Sequence, residues 1–194
     1  MQLPILKTLK NNVTVSLDWM RLQEQETVRS LLNTVVIEGQ TYPQSQPLSE
    51  AEFAAYWLSR DAFVVRAVEA ASNLEQTVSN QDEILGAFYL KPNFPGRCSH
   101  ICNAGFIVQP ALRGLGIGRF MGEAMLAIAP SRGYRAVMFN LVFATNTPSL
   151  QLWESLGFST IGRIPQAVRL KDNRLVDALM LYRSLQPHLA NQPT

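Results

Sequence analysis

The sequence predicts an α+β fold in which helices flank one mixed sheet of about seven strands. Three observations lead there. Apolar strand-like runs come in groups rather than alternating one-for-one with helices, and those from Phe63 to Val108 read as a meander. A glycine-rich turn, Gly114 to Gly118, joins the strand ending at Val108 to a helical run from Phe120 to Ala127. A second apolar run, Arg135 to Phe143, feeds another helix that opens near Asn146 and Pro148.

Each element follows from local pattern. Val13 to Leu17 alternates with the period of a strand. Met20 to Ile37 carries Leu22, Val28, Leu31, Leu32, Val35 and Val36 at helical spacing. Ser49 to Glu52 is a capping box that starts a short helix with Phe53, Tyr56 and Trp57 on its packing face. Phe63 to Val68, Ile84 to Leu90 and His100 to Val108 read as strands, separated by loops over Glu69 to Asp82 and Lys91 to Cys98. After the glycine helix come the strand Arg135 to Phe143 and the Asn146 helix. Two last strands follow, Ser159 to Leu170, broken at Pro165, and Leu175 to Leu185.

Composition narrows the class. The 194 residues suit a single domain, 1–194, with a real core. A net charge of +2 is too small for a nucleic-acid partner. Positive charge is mostly arginine, and Arg113, Arg119, Arg132 and Arg135 are expected to crowd around the glycine turn and suit a polyanion. No apolar run approaches the roughly 18 residues of a membrane span. The N-terminus lacks the basic start and long apolar core of a signal peptide, so a cytoplasmic location is expected. Cys98, His100 and Cys102 tempt a zinc reading. On one strand, however, i, i+2 side chains stand about 7 Å apart and cannot converge on an ion at about 2 Å. No metal is expected.

The run Arg113-Gly114-Leu115-Gly116-Ile117-Gly118-Arg119 is a candidate anion cradle. Glycines leave backbone N–H groups uncovered, and the first turn of a helix adds unpaired donors and a positive dipole end. A Walker loop would need Lys-Ser/Thr after the last glycine, where Arg119-Phe120 stands. A dinucleotide fingerprint fails too: counted from Gly114 the third glycine falls one place early, and counted from Gly116 the position is Met121. What the run fits is Arg/Gln-x-x-Gly-x-Gly/Ala, through Arg113, Gly116 and Gly118. It resembles the acetyl-CoA loop of the GNAT superfamily of acyltransferases. Asn146 to Phe158 resembles that superfamily's second signature, Asn-x-x-Ala/Ser-x-x-Leu-Tyr/Trp-x-x-x-Gly-Phe. Asn146 can cap its helix, Leu152 and Leu156 share a face, and Gly157 ends it.

The resemblance implies a mixed, mostly antiparallel sheet with two splayed central parallel strands, here His100–Val108 and Arg135–Phe143, and acetyl-CoA as co-substrate. Phe106, Ile107 and Val108 would meet the pantetheine arm. Arg113, Gly114, Leu115, Gly116, Ile117, Gly118 and Arg119 would take the pyrophosphate. Asn146, Ser149 and Trp153 complete the expected cofactor set. The usual Tyr of the second motif is Trp153, and neither parallel strand carries the usual Glu base. In their place stand Asn103 and Asn140, amides that orient but cannot deprotonate at neutral pH.

The segments Cys102–Phe106, Phe139–Phe143, Leu152–Phe158 and Gly162–Pro165 are similar to one branch of the superfamily, the fungal N-acetyltransferases acting on proline analogues. That similarity implies acetylation of the secondary amine of a small cyclic imino acid, azetidine-2-carboxylate or cis-4-hydroxyproline. Asn103 and Asn140 would be the catalytic, orienting residues, Phe106 and Leu141 would line the pocket, and a homodimer is expected. His100 is a rival base, and Tyr42 a candidate cover for the acceptor site. The alternatives are a GNAT enzyme for another small amine or a protein N-terminus, and a non-catalytic acyl-CoA-binding module.

Overall fold

In the computed structural model, the residues described are 2–9, 12–59, 61–68 and 83–186. The expected loop Glu69 to Asp82 lies outside them. Strands β1 (Ile5–Thr8) and β2 (Thr14–Trp19) come first, then helices α1 (Gln25–Glu38) and α2 (Glu50–Trp57). Strands β3 (Asp61–Ala67), β4 (Ile84–Pro92) and β5 (Ile101–Val108) precede helix α3 (Ile117–Ser131). Strand β6 (Ala136–Phe143), helix α4 (Thr147–Ser155) and strands β7 (Ser159–Arg169) and β8 (Leu175–Ser184) complete the order.

The described strands form one eight-stranded sheet, β1-β2-β3-β4-β5-β6-β8-β7. Every pairing is antiparallel except β5 with β6. The α+β class and the β3-β4-β5 meander are therefore as expected, with one strand more than the seven read from the sequence. The missed strand, β1, has only four residues and pairs along one edge with β2.

Pro165, expected to break its strand, interrupts the ladder with β8 without ending β7. β7 runs through it as the sheet's other edge, where a missing ladder N–H costs little. The register with β8 shifts between Ile164 and Val168, and Gln166 takes a positive φ of 50° while its N–H bonds Asp177 Oδ1 at 2.8 Å. The proline is absorbed in a bulge.

The sheet has an apolar layer on each face. Ile117, Phe120, Met121, Ala124, Met125 and Ile128 make one stripe of α3 and pack with Phe88, Cys102, Val137, Phe139 and Trp153. On the other face Val28, Leu32 and Val35 of α1 and Phe53 and Trp57 of α2 cover Val64, Ala87, Tyr89 and Ile107. Strands β3 and β4 are thus covered on both sides, which is why they read as unbroken apolar runs. The capping box of α2 forms as expected: Glu52 N–H donates to Ser49 Oγ and Ser49 N–H to Glu52 Oε2.

A buried ion pair ties the start of α1 to β3. Arg66 Nε and a terminal nitrogen donate to the two Glu24 oxygens at 2.6 and 2.7 Å, and Arg21 N–H adds a third bond at 2.5 Å. Burial pushes the Glu24 carboxyl up, but the bonds from Arg66 and Arg21 and the Arg66 charge outweigh it and hold it below the usual carboxylate value. No helix among the described residues is long and apolar enough to cross a membrane.

Candidate active site

The parallel pair opens almost as soon as it forms. β5 and β6 are in register only at Ile101↔Ala136 and Cys102↔Val137. Beyond that the two strands diverge. Two bonds set the phase of β5: Asn93 N–H donates to Ile101 O, and Gln109 N–H to Leu85 O. With antiparallel alternation, residues 101, 103, 105 and 107 turn their peptide groups to β4. Ala104, Phe106 and Val108 therefore turn theirs to the open side. Ile107, expected with its neighbours at the cofactor, instead pairs with Ala87 and is buried under α1 and α2.

At the end of β5 the glycine turn takes the shape a cradle needs. Gly114 and Gly116 have φ of +85° and +93°, and a Cβ at either would meet nothing within 4 Å. The glycines are there for backbone conformation, and the space above them is open. Leu115 packs on the core and Ile117 is buried, which pins the turn from below. The first bond of α3 is Phe120 N–H to Gly116 O at 3.0 Å, so the N–H groups of Ile117, Gly118 and Arg119 have no helical partner. Open space, uncovered donors and a strand edge leading to them fit a CoA pyrophosphate and its pantetheine arm.

The arginines divide. Arg113 pairs with Glu38 at 2.7 Å, and Arg119 donates to Ser155 Oγ at 2.6 Å, both beside the turn. Arg132 and Arg135 do not crowd around it as expected. Arg132 caps the far end of α3, some 22 Å of helix away, and pairs with Asp61; Arg135 directly precedes β6.

Helix α4 lies beside the gap. Asn146 Oδ1 accepts from Ser149 N–H, the expected cap, and Trp153 Nε1 donates to Ser149 Oγ at 2.9 Å. Trp153 is buried against Phe106, Phe139 and Phe158. Its one N–H is thereby used internally, and it supplies the gap with an apolar wall.

The gap opens into a pocket of about 400 Å³. Its lining includes Tyr42, Tyr56, Tyr89, Lys91, Asn93, Asn103, Phe106, Asn140, Leu141, Asn146 and Trp153. Asn103 and Asn140 meet here, as expected, but through a third amide that sequence reasoning missed. Asn93 Oδ1 accepts from Asn140 Nδ2 at 2.6 Å and from Asn103 Nδ2 at 3.2 Å, while Asn93 Nδ2 donates back to Asn140 Oδ1 at 2.9 Å. Asn140 and Leu141 sit where the register of β6 with β8 shifts between Phe139 and Val142. A bulge there re-aims the amide out of an otherwise apolar strand.

Tyr42 closes the roof: its hydroxyl donates to Phe106 O at 3.1 Å, a carbonyl on the open edge of β5. Burial pushes the Tyr42 and Tyr89 phenols well above their usual value, so both are neutral donors. Tyr42 and Leu141 also border a second cavity of about 720 Å³ between residues 36–47 and 167–173. His100 is exposed at the start of β5 and does not line the pocket, which removes it as a base. Cys98 is exposed, and Cys102 is buried with its thiol donating to Ala136 O and its pKa pushed up to about 12 by burial.

Comparison with known proteins places this geometry. A family model, the acetyltransferase (GNAT) family, matches residues 37–158. The chain is 40% identical over 158 residues to N-acetyltransferase aca1 of Schizosaccharomyces pombe, covering 78% of this chain and 76% of that one. A GCN5-related N-acetyltransferase from Kribbella flavida matches with a TM-score of 0.76 at 26% identity, over 88% of this chain and 97% of the other. A GNAT superfamily phosphinothricin acetyltransferase from Sinorhizobium meliloti, solved with AcCoA, has the same fold, with a TM-score of 0.76 at 18% identity over 97% and 94% of the two chains. The matched segment takes in α2, the meander, the glycine turn, the splayed pair and α4, and by it the chain belongs to the acetyltransferase (GNAT) family.

Proposed function

We propose that this acetyltransferase moves acetyl from acetyl-CoA to the ring nitrogen of a small cyclic imino acid, azetidine-2-carboxylate, cis-4-hydroxyproline or a similar proline analogue. The observation that carries the reading is the Asn93–Asn103–Asn140 cluster at the mouth of the splayed strands, in a pocket of small-molecule size. A pocket roofed by Tyr42 favours a small acceptor over a peptide N-terminus.

Acetyl-CoA supplies the activated acyl group. The N–H groups at Gly114 to Arg119 hold its pyrophosphate, and the free peptide groups of Phe106 and Val108 pair with the pantetheine as an added strand would. A peptide N–H on that edge polarises the thioester carbonyl. Asn140, braced by Asn93, fixes the acceptor nitrogen toward the acyl carbon, with Asn103 beside it. The nitrogen forms the new C–N bond, the C–S bond breaks, the nitrogen's proton passes to water, and the thiolate takes a proton from water. Among the described residues no carboxylate or histidine lines the pocket, so these residues accelerate the reaction by positioning. The proposed enzyme is one cytoplasmic catalytic domain, assembled as a homodimer. Ile161 and Ile164, exposed on the open edge strand β7, suit that assembly, which light scattering would check.

A thiol-release assay over azetidine-2-carboxylate, cis-4-hydroxyproline, proline and simple primary amines tests the reading. Preferential turnover of the ring amines is expected. Turnover of primary amines or N-terminal peptides alone would overturn the acceptor class, and acetyl-CoA binding without thiol release from any amine would make the chain a binding module.

A further inference from the structure

Lys91 is the one cation among the described residues lining the pocket, and no carboxylate lines it. Its Nζ donates to Tyr56 O at 2.9 Å and stands 4.6 Å from the ring centroids of both Tyr56 and Tyr89. An ammonium has three N–H donors, and the two ring faces hold its charge without taking a conventional hydrogen bond. Donors therefore remain for a ligand. Lys7 pairs with Glu123 at the surface, whereas Lys91 pairs with no described carboxylate.

The arrangement holding Lys91 is specific. Lys91 is the cross-strand partner of Asn103, so the two share a face, and Asn93 follows two residues later, just past the end of β4; all three line the same pocket. Tyr89, which supports it, exists in its place because residue 105 is glycine. A Cβ there would lie 2.4 Å from the Tyr89 ring. Burial holds the Lys91 ammonium below its usual pKa, which is the cost of a half-buried charge awaiting a counter-ion.

We infer that Lys91 binds the carboxylate of the acceptor and makes the pocket select amino or imino acids over neutral amines. An α-amino or imino acid carries its nitrogen and its carboxylate on one carbon. The amides that orient the nitrogen and the ammonium that takes the carboxylate stand on neighbouring strands, as such a ligand needs. The inference rests on the proposed function for the reaction and the small acceptor, but not for the ring.

The test compares wild type, Lys91→Met and Lys91→Arg on azetidine-2-carboxylate against its carboxamide, and on alanine against alaninamide. Taking the ratio of ratios between variants cancels the different basicity of acids and amides. Loss of a charge-assisted hydrogen bond should raise KM for the acid about 10- to 100-fold in Lys91→Met. The kcat should stay near wild type, the preference for acid over amide should vanish, and Lys91→Arg should retain most of it. Unchanged acetyl-CoA affinity shows that the variants are folded.

Equal use of acid and amide by wild type, or a preference that survives in Lys91→Met, overturns the inference. So does a fall in kcat at constant KM, which would assign Lys91 to proton transfer instead. Lys91-dependent preference with alanine but no turnover of azetidine-2-carboxylate would sink the ring-amine reading and leave Lys91 standing. Turnover of azetidine-2-carboxylate that ignores Lys91 would do the reverse, and no turnover of either acid would end both.

Discussion

On the α3 side of the gap between β5 and β6, the groups offered to a ligand are peptide N–H groups, fixed by a turn and a helix end. On the α2 side they are side chains, an ammonium from β4 and three amides from β5, β6 and the loop after β4, roofed by tyrosines from a loop, a helix and a strand. A backbone cradle depends on a few consecutive residues and tolerates side-chain change, provided the φ angles hold. A side-chain cluster depends on the whole sheet and fails when one member moves. On the proposed function the backbone cradle takes the acyl donor and the side-chain cluster takes the acceptor, so a change of side chain should alter acceptor choice first.

The largest effect should come from outside both halves, from the buried pair that ties the start of α1 to β3. Glu24→Ala leaves Arg66 buried without its partner and should cost about 3–5 kcal/mol of unfolding free energy in denaturant titration. The same pair sets an acid limit. The folded Glu24 pKa is depressed, so its contribution is fully present above the unfolded value of about 4.3 and is lost as pH falls through the folded value. Melting temperature should fall below that pH, and Glu24→Gln should flatten the dependence.

Next in size, Asn140→Ala should lower kcat by on the order of 100-fold or more, because the reacting nitrogen loses its fix. A near-wild-type kcat would sink that role. Gly105→Ala should push Tyr89 aside and carry Lys91 with it, destabilising the fold by about 1–3 kcal/mol and raising the acceptor KM more than the acetyl-CoA Kd. The smallest effect lies on the donor side. Gly116→Ala meets no atom but must hold a positive φ, a strain of about 1–2 kcal/mol, which should appear as weaker acetyl-CoA binding with acceptor selectivity intact.

The same contrast explains what the sequence could reveal. The glycine turn and the Asn146 helix are contiguous, and their residues act on groups a few positions away, so spacing alone carries their geometry. Asn103 and Asn140 stood out as amides in apolar strands. Asn93, which joins them, lies in the expected loop just past β4, where no local pattern marks one polar residue above its neighbours. Lys91 is on β4 beyond the apolar run that marks the strand, and its proposed role depends on the Tyr56 ring of α2 and on the glycine opposite Tyr89. A one-dimensional pattern does not say which strand is an edge, so it does not show that β7 can run through Pro165. Arg132 and Arg135 are near the glycine turn in sequence, but a 15-residue helix carries them to its far end.

The separation of the two halves is tested most directly by calorimetric titration of acetyl-CoA into wild type, Gly116→Ala and Asn140→Ala side by side. The expected result is a weakened Kd for Gly116→Ala and an unchanged Kd for Asn140→Ala. Loss of acetyl-CoA affinity in Asn140→Ala, or none in Gly116→Ala, would contradict the division of the site into a backbone-built donor half and a side-chain-built acceptor half.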